Sequence, residues 1–160
     1  MLRITQATTL GDLQQARELF REYEAGLGIS LCFQNFAEEL ANLPGDYAPP
    51  QGRLLLAREF EQTMGCVALR PLGPTTCEMK RLFVRPEYRD RGLGRVLVEA
   101  IIEEARKIGY ASLRLDTIAD RMDRAVALYK SIGFVEIQPY RNNPVDSATF
   151  MELDLLTPKH

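Results

Sequence analysis

Residues Cys77 to Ile108 read CEMKRLFVRPEYRDRGLGRVLVEAIIEEARKI, and this stretch decides the fold. Cys77 to Val84 is rich in apolar and β-compatible residues, which predicts a strand. Pro86 stops it, because proline has no N–H to give a sheet ladder. Arg89-Asp90-Arg91-Gly92-Leu93-Gly94 predicts a turn. After it, Val96, Leu97, Ala100, Ile101, Ala105 and Ile108 recur at helical spacing. Gly109 then stands where a C-cap glycine belongs. The order is strand, glycine-bearing turn, amphipathic helix, with three arginines around the turn.

That order has a chemical use. The first turn of a helix leaves about four N–H groups without intrahelical partners. They lie at the positive end of the helix dipole, and glycines let a bulky anion approach the backbone closely. The product is a phosphate-binding site made mostly of main chain. The plainer reading is that Gly92 and Gly94 only shape a tight turn. Two nucleotide motifs are excluded. No G-x-x-x-x-G-K-[ST] occurs, and Gly94 is followed by Arg95, Val96 and Leu97 with no third glycine for a dinucleotide fingerprint.

Arg89-x-x-Gly92-x-Gly94 between a strand and such a helix resembles motif A of the GNAT N-acetyltransferases. Ala125-Val126-Ala127-Leu128-Tyr129-Lys130-Ser131-Ile132-Gly133-Phe134, one strand later, resembles their motif B helix. The resemblance covers roughly residues 53 to 155, with the motifs between Glu78 and Phe134. It implies a single N-acetyltransferase domain over residues 1–160 that moves an acetyl group from acetyl-coenzyme A to a primary amine of a small molecule or peptide, by direct attack. The implied coenzyme contacts are Leu82, Phe83, Val84, Arg89, Asp90, Arg91, Gly92, Leu93, Gly94, Arg95, Tyr129 and Lys130. Asp90 departs from the pattern, being an acid beside a phosphate site, and is expected to face solvent or pair with a neighbouring arginine. The alternative is a non-catalytic acyl-coenzyme A sensor of the same fold, and an unrelated nucleotide-binding α/β domain is the third class.

Outward from this stretch, the chain reads as α/β. Leu2 to Ala7 predicts a strand. Thr8, Thr9 and Asp12 offer N-caps to a helix ending near Ala25, broken by Gly26 and Gly28. A second helix is expected within Phe33 to Leu43. Gly52 to Arg58, Met64 to Leu69 and the Cys77 strand are close together and predict an antiparallel meander. The long helix crosses to Ala111–Thr117 as a parallel neighbour of the Cys77 strand. A helix over residues 121–132 and strands at Phe134 to Ile137 and Ala148 to Leu155 follow. The expected fold is a mixed, mostly antiparallel sheet of six or seven strands with helices on both faces.

The totals exclude other classes. The chain has 160 residues, 46% of them hydrophobic, and a net charge of −2. There is no overall basic field to hold nucleic acid and no apolar run of the ~20 residues that cross a membrane. Three cysteines, Cys32, Cys66 and Cys77, without metal-ligand spacing, and one histidine, His160, argue against a zinc site or a Ser-His triad. Reduced thiols in a cytoplasmic protein are the simplest reading, and a homodimer stays open.

Acetyl transfer requires a base for the amine, a donor for the carbonyl oxygen and a proton for the leaving thiolate. Glu78 is the base candidate, since the resemblance puts a glutamate at this strand position in lysine-acetylating relatives. Period two places Glu78, Lys80, Leu82 and Val84 on one face. The plain alternative is a glutamate paired with Lys80 or Arg81. Tyr129 is the candidate for the leaving sulfur, against a tyrosine merely packed in the core. A backbone N–H near Leu82, Phe83 or Val84 would serve the carbonyl oxygen. Tyr140, Arg141 and Asn142, with the segment from Gly26 to Phe33, are expected to line the acceptor side. Cys66 and Cys77 are candidate nucleophiles only if exposed.

Overall fold

The computed structural model describes residues 1–27, 35–118, 123–141 and 148–156. Its elements are β1 (Leu2–Gln6), α1 (Leu10–Leu27), α2 (Phe36–Ala41), β2 (Arg53–Glu59), β3 (Gln62–Pro71), β4 (Thr76–Val84), α3 (Leu93–Ile108), β5 (Ser112–Ile118), α4 (Asp123–Ile132), β6 (Val135–Ile137) and β7 (Ala148–Asp154). They form a seven-stranded sheet in the order β1-β2-β3-β4-β5-β7-β6. Every neighbouring pair is antiparallel except β4 and β5.

Local chemistry sets the boundaries. Thr9 and Asp12 make a capping box for α1: Asp12 N–H donates to Thr9 Oγ1 at 3.0 Å and Thr9 N–H donates to Asp12 Oδ2 at 3.1 Å. The helix runs through Gly26 to Leu27 instead of ending near Ala25. One interior glycine costs about 1 kcal/mol, too little to stop a helix whose Ala16, Leu19, Phe20 and Leu27 are buried. β3 is longer than expected, because the turn before it needs only Phe60 and Glu61. At the other end of the chain order, α3 starts on Gly92 with φ 75° and stops on Gly109 with φ 108°, both left-handed positions that glycine takes without strain.

Two apolar layers flank the sheet. On one side Leu97, Val98, Ile101, Ile102 and Ala105 of α3 pack with Tyr129 and Phe134 against Leu55, Val67, Cys77 and Met79. On the other, Leu19 and Phe20 of α1 and Phe36 of α2 cover Leu54, Leu56, Cys66, Ala68 and Phe83. Each fully buried side chain of this size contributes roughly 1.5–3 kcal/mol.

Strand β4 corrects one expectation. Cys66 pairs with Phe83 and Ala68 with Lys80, so Arg81 and Leu82 together stand opposite Val67. This is a β-bulge, with Arg81 at φ 61°. The surplus residue interrupts the period of two. Glu78, Lys80, Arg81 and Phe83 face α1 and α2, whereas Leu82 and Val84 pack toward α3 and α4. Glu78, Lys80, Leu82 and Val84 therefore do not share a face.

Candidate active site

β4 and β5 pair only at Thr76–Glu78 with Ser112–Arg114. Beyond these three residue pairs the strands part, and the parting opens beside the start of α3. A cleft of about 950 Å³ lies there, walled by the end of α1 from Glu22 to Leu27, the end of β4, the Arg89–Arg95 turn and the first half of α4. Leu82, Phe83, Val84, Arg89, Asp90 and Gly92 to Arg95 all line it. The structure thus brings together nine of the residues expected from sequence to meet the coenzyme.

The rest of that set lies elsewhere. The Arg91 guanidinium sits over the Tyr88 ring at 5.5 Å, and Lys130 is exposed on α4. Tyr129 is buried in the α3–α4 layer, its ring 5.6 Å from that of Phe134. Burial pushes its phenol above the ordinary value, and the nearby Tyr23 phenol adds to the rise. Tyr129 is thus a protonated donor at neutral pH, close to a tyrosine that lines the cleft.

The turn is built around the helix start. Val96 N–H donates to Gly92 O at 3.2 Å, which leaves the N–H groups of Leu93, Gly94 and Arg95 at the open end of α3. A Cβ on Gly94 would meet Leu128 at 3.6 Å, an ordinary contact. Arg89 Nε donates to Val84 O at 2.9 Å, and its guanidinium lies 5.6 Å from the centre of the Phe83 ring. Arg95 donates to Ser131 Oγ at 2.6 Å. Asp90, at φ 66°, pairs with Arg124 at 3.1 Å across the cleft mouth, one of the two arrangements expected for it.

The other face of the parting is polar. Glu78 is fully buried. Its Oε1 accepts from Arg70 Nε at 2.9 Å, and its Oε2 accepts from Tyr140 Oη at 2.7 Å and from Arg141 Nη2. The plain alternative, a pairing with Lys80 or Arg81, is not what forms, and the carboxylate proposed as base is not open to an incoming amine, since both oxygens are taken. Lys80 instead reaches Asp116 of β5 at 3.5 Å, where the strands separate. Burial holds the Lys80 ammonium down to about 8, although Asp116 opposes that shift. Arg81 makes a bidentate pair with Glu39 of α2 at 2.8 and 2.9 Å and lies over the rings of Tyr23 and Phe36. Tyr140 and Arg141 are therefore at this face, while Asn142 and residues 28–34 lie outside the described residues.

Three members of this face were missed from sequence. Tyr23 follows Leu19 and Phe20 at core spacing, so nothing marked it. Arg70 ends a strand and read as a turn flank. Asp116 did carry a signal: alternation in Leu113-Arg114-Leu115-Asp116 puts Arg114 and Asp116 together on the face away from α3. The two cysteines among the described residues are poor nucleophiles. Cys66 and Cys77 are buried, each bonded to a backbone carbonyl, and burial pushes Cys77 up to about 12 and Cys66 higher still.

Residues 13–134 match the model of the acetyltransferase (GNAT) family. The chain belongs to that family. Its GNAT domain makes it an N-acetyltransferase, with curated relatives so named. It is 47% identical over 146 residues to an uncharacterised N-acetyltransferase of Schizosaccharomyces pombe, covering 90% of this chain and 89% of that protein. The GNAT fold recurs in an acetyltransferase from Streptococcus agalactiae, with TM-score 0.79 at 23% identity, covering 96% and 98% of the two chains. A putative acetyltransferase from Salmonella typhimurium with its cofactor acetyl-CoA also has this fold, with TM-score 0.67 at 19% identity and coverage of 96% and 94%. Among the described residues no helix is long and apolar enough to cross a membrane.

Proposed function

We propose that this GNAT protein transfers the acetyl group of acetyl-coenzyme A directly to a primary amine of a small molecule or peptide. The observation that carries the reading is the cleft at the parting of β4 and β5, with the bare N-terminus of α3 in its wall. The Leu93, Gly94 and Arg95 N–H groups bind the pyrophosphate, which the helix dipole favours. Backbone N–H groups of Leu82 to Val84 stabilise charge on the carbonyl oxygen. The Tyr129 phenol donates to the departing sulfur.

Proton removal falls to the other face. Glu78 has both oxygens engaged, so we place the base at the Lys80–Asp116 pair and give Glu78 the work of holding Tyr140 and Arg141. A buried amine poised near 8 beside a carboxylate suits proton transfer near neutral pH. The test is thiol release from acetyl-coenzyme A with a panel of free amines, followed by pH–rate profiles of two variants. Lys80→Met is expected to remove the acidic limb. Glu78→Gln is expected to keep that limb and raise the acceptor KM. The reverse pattern would return the base to Glu78. Tight coenzyme A binding without turnover of any amine would favour the non-catalytic sensor.

A further inference from the structure

Four charged groupings run across the sheet face beneath α1 and α2. Among the described residues, three are one to one in ion pairs: Lys80 with Asp116, Arg81 with Glu39, and Arg114 with Glu152. The fourth is not. Arg70 and Arg141 both close on Glu78, and among the described residues it is the one carboxylate within ion-pair distance of either. Two guanidiniums on one carboxylate leave one positive charge over. Arginine does not shed its charge near neutral pH, and an uncompensated charge away from water is costly. The imbalance is felt by Arg141, which burial first and Arg70 second hold down to about 10.

Exposure shows from which side a balancing anion arrives. The Glu78 side chain is 0% exposed, whereas those of Arg70 and Arg141 are 28% and 23% exposed. The carboxylate is at the bottom, and both arginine side chains reach the surface. Each guanidinium carries five N–H donors. Arg70 gives Nε and Nη2 to Glu78, and Arg141 gives Nη2, so donors remain on both. The arrangement is held in place. Tyr140 donates to Glu78, its ring lies between the Arg114 and Arg141 guanidiniums at 5.4 and 5.0 Å, and it packs edge-on to Phe150.

We infer that the amine acetylated here also carries a carboxylate, which lies across the Arg70 and Arg141 guanidiniums while the amine points to the parting of β4 and β5. This rests on the acetyl-transfer reading. Glu78 and Lys80 are two residues apart on β4, about 7 Å. An amine and a carboxylate separated by several bonds span that step, and an α-amino acid does not. A rival cue is the cavity of about 330 Å³ beside Arg70, which Glu38, Glu39 and Asp46 line. It would favour a second cation at the far end of the acceptor.

Three acceptors of one length separate these ideas: δ-aminovalerate, pentylamine and cadaverine, assayed by thiol release. The kcat/KM for δ-aminovalerate is expected to exceed both others by about tenfold or more, the ratio that a single charge-assisted hydrogen bond supplies. Arg141→Gln should lower it, mainly through KM, far more than it lowers the value for pentylamine. Arg70→Gln should act likewise, and Arg141→Lys, which keeps the charge, should recover part of the loss. Equal or better turnover of pentylamine or cadaverine overturns the inference. So does a loss in Arg141→Gln that is the same for all three. If none of the three releases thiol but other amines do, the inference fails and acetyl transfer stands. Silence from every amine sinks the transfer reading as well.

Discussion

Tyr129 and Lys80 carry charge or protons in places that water hardly reaches, and each makes a distinct prediction. The raised Tyr129 phenol keeps its proton at neutral pH. Removing it in Tyr129→Phe leaves the ring packed on Phe134. The variant is therefore expected to bind coenzyme A nearly normally while kcat falls about 100-fold. Calorimetric titration beside steady-state kinetics checks this, and a parallel loss of binding would assign Tyr129 to packing alone. Lys80 predicts a stability change. The native ammonium gives up its proton near 8, against an ordinary value of 10.5. Between these values the unfolded chain binds more protons, so stability rises with pH across that window. The buried Cys66, Cys77 and Tyr129 pull the other way as pH rises, so the Lys80 contribution is read by difference: between about pH 8 and about pH 10 the wild type should gain stability in urea unfolding relative to the double variant Lys80→Met, Asp116→Asn.

Among the elements, α1 and α3 start differently, one capped by side chains and the other bare. In α1 the Asp12 carboxylate takes the N–H groups of Thr8 and Thr9 and the Arg58 guanidinium, which together hold it well below the usual carboxylate range. Asp12→Ala should cost about 1 kcal/mol. A depressed carboxylate contributes above its unfolded value and loses that contribution as pH falls through the folded one, so the deficit should shrink below about pH 4. In α3 the start is left open for a ligand. Gly94→Val fills the approach to the helix start, and its Cβ meets only Leu128, at an ordinary distance. It should abolish coenzyme A binding while the melting temperature stays close to that of the wild type. Unchanged affinity in that variant would move the phosphates elsewhere.

For the molecule as a whole, binding across the parting should stabilise both sides of it. Coenzyme A at a hundred times its Kd should add about 2.7 kcal/mol, seen as a higher Tm that ATP and NAD do not reproduce. What the sequence made legible follows the same division. Every strand and helix was foreseeable from period and punctuation, because α3, β4 and β5 satisfy those rules locally. The turn that walls the cleft was legible for the same reason: Gly92, at φ 75°, is demanded by backbone geometry within a few residues. The polar face around Glu78 was legible only in part: Glu78, Tyr140 and Arg141 were singled out, but Arg70 and Asp116 were not. It gathers Arg70, Glu78, Asp116 and Arg141 from four separate stretches, and the bulge at Arg81 exchanges the faces of all that follows on β4. Neither a surplus residue nor a pairing over sixty positions leaves a mark on local period.

The three residue pairs that join β4 to β5 also make the sheet something other than one continuous ribbon. It is two half-sheets stitched at one end, with two bare strand edges facing each other across the slot. Edge strands usually lie at the rim of a sheet, where charges and bulges discourage stray pairing. Here they are internal and sheltered by helices on both faces. An extended molecule with amides at peptide spacing is therefore expected to pair along the slot, and chemically simple strand mimics become a rational starting point for inhibitors.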